Sequence, residues 1–105
     1  MNPSGKAVEY FKQGYNCAQA VAAAFVDEIG LDTQCVLRVM AGFGAGVGGL
    51  RNTCGAVSAM VFVASANAGN YAPTDRAAKR ALYNRVRQMV RQFEEQHGTT
   101  NCAEL

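Results

Sequence analysis

Tryptophan is absent from the 105-residue chain, histidine occurs once and proline twice. The prolines, Pro3 and Pro73, leave two long stretches without a helix breaker. Ser58 lacks a plausible hydrolytic triad, because His97 is the only histidine and has no evident orienting acid. No carboxylate pair has acid/base spacing. Charged residues make up 17% and the net charge is +2, too little to imply nucleic-acid binding, while an apolar half excludes disorder. Residues 52–74 carry no charge, but Ala, Gly, Ser and Asn dominate them. Their apolar part, Val57 to Ala66, is about half the length a membrane span needs. The N-terminus lacks the apolar run of a secretory signal, so a cytoplasmic chain is expected. A CxxC pair is missing too: the cysteines stand at 17, 35, 54 and 102, which excludes a zinc ribbon or a thioredoxin-like motif. Strand-like alternation appears nowhere over a useful length.

What remains is helix. The length suits one domain, residues 1–105, and the patterning predicts an all-α, compact bundle of about five helices. Ser4 is placed to cap the first, with Ala7, Val8 and Phe11 on its apolar face and Gly14 at its end. Asn16 starts a second, in which Val21, Ala24, Phe25 and Ile29 recur at helical spacing up to Gly30. Asp32 or Thr33 caps a short third. A fourth, about four turns from Cys54 to near Gly69, is apolar or small all round and belongs at the buried centre. Thr74 or Asp75 caps the last, where Leu82, Val86, Met89 and Phe93 form a core stripe.

Three cysteines each follow a residue suited to cap a helix: Asn16-Cys17, Thr53-Cys54 and Asn101-Cys102. Gln19 and Glu104 lie three residues after their caps, as in a capping box. Each sulfur is thus expected at a first helical position, where free N–H groups and the helix dipole stabilise a thiolate. Converging helix starts suit two chemistries, thiol–disulfide exchange and a thiolate-ligated iron–sulfur cluster, which needs four ligands. Cys35, with apolar neighbours, reads as a core residue. It, His97 or a group from another subunit would be the fourth ligand.

Before Cys54 runs Gly42-Phe43-Gly44-Ala45-Gly46-Val47-Gly48-Gly49, five glycines in eight residues. Gly44-x-Gly46-x-x-Gly49 matches a dinucleotide fingerprint in form only, because helix precedes it and no βαβ unit surrounds it. The expected role of Gly44, Gly46, Gly48, Gly49 and Gly55 is to bring backbone N–H groups near Cys54 or a group it holds. On the last helix, Arg76, Lys79, Arg80, Arg85, Arg87 and Arg91 read as a solvated face.

GYNCAQAV from Gly14 to Val21, the glycine loop, CGAV from Cys54 to Val57 and the closing NCAEL together resemble the redox-active proteins of the C-GCAxxG-C-C family. The likeness runs in order from about Tyr10 to Leu105. It implies a small helical domain, bacterial or archaeal, whose cysteines are redox-active or cluster-binding, and it marks Cys17, Cys54 and Cys102 as motif cysteines. The CGAxxG pattern here ends in Ala59, the loop reads Arg51-Asn52-Thr53 without the family's usual acid, and Cys35 lies outside the motif. A shortened member lacking the last motif cysteine is expected.

Two functional readings follow. In the first, Cys17 and Cys54 pair as dithiol or disulfide with Cys102 as resolving thiol, serving an unidentified redox partner. In the second, the three ligate a metal or iron–sulfur cluster for electron transfer or sensing. A helical interaction domain without chemistry is a third possibility, and its small-residue helix suits a homodimer.

Overall fold

The computed structural model describes residues 2–105, and these form six α-helices and two short 3-10 turns. The helices are α1 (Pro3–Lys12), α2 (Cys17–Ala23), α3 (Val26–Ile29), α4 (Thr33–Val39), α5 (Gly55–Ala68) and α6 (Arg76–His97). The all-α expectation holds. No described helix is long and apolar enough to cross a membrane.

Caps decide most of the boundaries. Asn2, not Ser4, starts α1: its side chain accepts from the Gly5 N–H at 2.8 Å, and Pro3 occupies a first-turn position where no N–H is required. Asp32 and Asp75 cap α4 and α6 as expected, accepting from Cys35 and Ala78 at 3.0 Å. The helix expected from Asn16 to Gly30 is instead split. The chain tightens at Phe25, whose N–H bonds to Ala22, and α3 resumes for one turn before Gly30 closes it in a left-handed conformation. The break lets Val26 pack on the core while Asp27 meets Lys6 of α1 at 3.0 Å.

Small residues make the core. Ala18 and Ala22 of α2 meet Ala59 of α5, with Val36 and Met40 filling the space beside α4. Alanine and glycine on facing ridges let α2 and α5 pack closely, because no long side chain holds the two helices apart. Helix α5 is central, as its uniform apolarity predicts: it packs against α2 and α6, and Gly55, Val57, Ala59, Val63 and Ala64 are buried. The α6 stripe is less complete than its periodicity suggests. Leu82 is its one buried residue, while Val86, Met89 and Phe93 stay half-exposed because α6 leans chiefly on α5.

Candidate functional site

Cys17 is where the expectation is met in full. The Asn16 side chain accepts the Gln19 N–H at 2.9 Å and the Gln19 side chain accepts the Asn16 N–H at 3.1 Å, a complete capping box. The remaining amide donors of both residues reach outward, Asn16 to the Ala41 carbonyl at 3.0 Å and Gln19 to the Leu37 carbonyl at 2.8 Å. The cap is therefore also a clamp. It fixes the start of α2 to the end of α4, so Cys17 sits on a braced backbone.

Gly55 receives that sulfur. A Cβ at Gly55 would lie 2.5 Å from Cys17 Sγ and 3.0 Å from the Ala18 nitrogen, so only glycine leaves the thiol its place. Cys54 is the adjacent residue, one peptide unit or about 3.8 Å along the chain. Its position differs from the expectation: Cys54 is itself the N-cap of α5, without a side-chain cap hydrogen bond, and Thr53 lies outside the helix. Thr53 is engaged elsewhere, in an isolated antiparallel bridge with Asn101.

That bridge brings in the third cysteine. The Cys54 N–H donates to the Thr100 carbonyl at 2.7 Å and the Cys102 N–H to the Asn52 carbonyl at 2.6 Å. Side chains alternate along paired extended chains, so Cys54 and Cys102 lie on one side of the ladder, diagonal neighbours with Cα atoms about 7–8 Å apart. Cys102 does not head an α-helix; it opens a single 3-10 turn, Cys102–Glu104, in which the Asn101 side chain accepts from the Ala103 N–H and the Asn101 carbonyl from the Glu104 N–H. The expected convergence of three helix dipoles thus reduces to one helix of 14 residues, one of seven and one turn.

The glycine loop serves as a spacer between these parts. A side chain at Gly44 would collide with Asn16, and one at Gly46 would meet the backbone of Arg51 and Asn52 at 2.5–2.7 Å. The loop therefore presses on the Cys17 cap at one end and on the Cys102 acceptor at the other. Gly48 and Gly49 donate within the loop, to the Gly42 and Gly44 carbonyls, and not to a sulfur. Ala45 and Val47 share the left-handed region with Gly46, Gly48 and Gly49, so five consecutive residues wind left-handed. Such a run costs non-glycine residues roughly 1–2 kcal/mol each.

Cys35 and His97 stand apart. Cys35 is exposed, not in the core, and opens onto a separate cleft of about 800 Å³ beside Tyr15, Gln19 and Arg38. Its place follows from the α4 cap, which turns the third helical residue outward while Val36 and Leu37 take the buried side. His97 ends α6 with its ring on Phe93, centroids 4.5 Å apart. All four thiols are free. Among the described residues no three Cys, His, Asp or Glu side chains are placed to hold one metal ion. The donor set as arranged does not fit a cluster.

Cys17, Cys54 and Cys102 are half-buried, and Cys17 also lines an apolar groove of about 370 Å³ with Ala7, Val8, Phe11, Ala20 and Val21. Phe11, 61% exposed, forms its open lip. The sequence carries no sign of the Thr53–Asn101 bridge, since two residues have no periodicity. The approach of Cys17 to Gly55 does have a signal, in the small residues after Cys54. Neither a curated protein nor a solved structure matches the chain. A family profile matches residues 15–105, covering the capping box, the glycine loop and all three gathered cysteines, and its description is putative redox-active protein (C_GCAxxG_C_C). The chain belongs to that family.

Proposed function

We propose that this protein is a thiol–disulfide redox protein in which Cys17 and Cys54 cycle between dithiol and disulfide, with Cys102 as resolving thiol. One observation carries the reading: Cys17 Sγ is seated against Gly55, next in sequence to Cys54. The ladder that ties Cys102 to Asn52 adds the third thiol to the same neighbourhood. Free thiols are the resting form expected in a reducing cytoplasm, where we place the chain.

The Cys17 thiolate attacks one sulfur of a substrate disulfide; a mixed disulfide forms, the substrate bond breaks and the departing sulfur takes a proton. Cys54 as thiolate then attacks the Cys17 sulfur and releases the second substrate thiol. Two electrons have passed from protein to substrate, and a cellular dithiol donor returns them by the reverse steps. Cys102 resolves the mixed disulfide when Cys54 is engaged. The groove beside Cys17 gives the incoming disulfide an apolar approach.

Anaerobic purification followed by iron, sulfide and thiol analysis tests the reading. Four titratable thiols and no metal are expected. With an aromatic disulfide as substrate, the Cys54→Ser, Cys102→Ser double variant is expected to accumulate the Cys17 mixed disulfide, either single variant to resolve it, and Cys17→Ser to lose fast exchange. Stoichiometric iron and sulfide would replace this reading with the cluster-binding one.

A further inference from the structure

Helix α6 carries a pattern that the thiol chemistry does not use. Arg76, Tyr83, Arg87 and Glu94 are spaced seven, four and seven residues apart, which puts them on one flank, and all four are exposed. That spacing reads the same in both directions. In an antiparallel pair of α6 helices, Arg76 meets Glu94 of the second copy and Tyr83 meets its Arg87, each twice by symmetry. A parallel pair would set arginine on arginine.

The charges are available for this. Among the described residues the one ion pair is Lys6–Asp27, so Arg76 and Glu94 have no ionic partner there, and the Arg87 guanidinium donates to the neutral Asn84 side chain at 3.1 Å. The arginines and the lysine of α6 all precede Glu94 and Glu95, which puts most of its positive charge toward the start and its two acids near the end.

The surface below is apolar. A groove of about 250 Å³ between α5 and α6 is lined by Val61, Ser65, Leu82, Tyr83, Val86 and Arg87. It joins a second groove of about 360 Å³ through the shared Val61 and Ser65. The α6 part of the first groove, residues 82–87, is centred where the charge pattern has its midpoint, near Arg85. Charge complementarity and apolar surface therefore share one axis. We infer that this flank is a dimer interface that takes a second copy of the chain, with the two α6 helices antiparallel across a two-fold axis.

Sedimentation equilibrium at low ionic strength, from micromolar to millimolar protein, tests the inference. The parent chain is expected to dimerise. Arg76→Glu and Glu94→Arg each place like charges together twice per dimer and are expected to weaken it roughly ten- to hundredfold. The double variant restores both pairs and is expected to return to near the parent affinity. Tyr83→Lys, which faces lysine to Arg87, is a second weakening variant, and far-UV circular dichroism verifies that each variant is folded. A parent monomeric throughout, a dimer indifferent to the single reversals, or a double variant as weak as the singles would overturn the proposal. So would Arg76-dependent binding of polyglutamate by a monomer, because it would assign the flank to an acidic polypeptide.

Discussion

Asn16 does more than an ordinary cap residue. It closes the capping box of α2 and donates to the Ala41 carbonyl, so Asn16→Ala removes both and opens the contact with Gly44. Loss of the cap and one further hydrogen bond is expected to destabilise by about 2 kcal/mol, lowering Tm by roughly 10 °C. Gly55 is the companion residue. Gly55→Ala pushes a methyl group into Cys17 Sγ and the Ala18 backbone, at an expected cost of about 1–3 kcal/mol. Its distinguishing mark is chemical: the displaced thiol should react faster with a bulky alkylating reagent and form the intramolecular disulfide more slowly. Val47 tests the loop. Held at φ 69°, a β-branched residue is strained there, and Val47→Gly is expected to be neutral or to stabilise by up to about 1 kcal/mol. A loss of more than about 1 kcal/mol on thermal melting would mean that the Val47 side chain outweighs that strain.

At the scale of elements, α5 positions everything else. Its start holds Cys54 and admits Cys17, its Ala59 packs on α2, and its other side supports α6 through Leu82. Leu82→Ala, the single buried position of α6, is expected to cost about 2–4 kcal/mol and to loosen α6 selectively, visible as lost amide-exchange protection beyond Arg76. Much of this was legible in the residues. Glycine and Asx punctuation located five helix starts or ends, at Asn16, Gly30, Asp32, Gly69 and Asp75, and the charge-free span identified the central helix. The three cysteines stood out because each follows a polar capping residue. Other features were hidden for physical reasons. The break at Phe25 depends on packing of Val26 and pairing of Asp27, both tertiary, within a sequence that remains helix-compatible. Cys54 proved to be a cap and not the residue after one, because Thr53 is drawn into the bridge with Asn101, a contact across nearly half the chain. Cys35 misled because its neighbours are apolar, whereas the Asp32 cap sets which of them face inward.

For the whole molecule, the radius of gyration of 13.8 Å slightly exceeds the ~13 Å usual for this length. Helix α6 accounts for the difference. Its 22 residues span about 33 Å against about 21 Å for the 14 of α5, so part of it has no helix beneath it. The surface assigned to the second copy lies along the part of α6 that does have α5 beneath it, around Leu82 to Arg87. The proposed Cys17–Cys54 disulfide would close a long loop. A Cys17–Cys54 bond spans 37 residues, which in the chain-entropy model stabilises the oxidised form by up to about 4 kcal/mol. The oxidised protein is therefore expected to melt higher than the reduced one. The most direct measurement is a redox titration of the Cys35→Ser chain, free of its exposed thiol, with peptide mapping at each potential. A two-electron transition of about 30 mV per decade, yielding a linked Cys17–Cys54 peptide in stoichiometric amount, is the predicted result. Three thiols that stay free across the range, or cross-links only between chains, would contradict it.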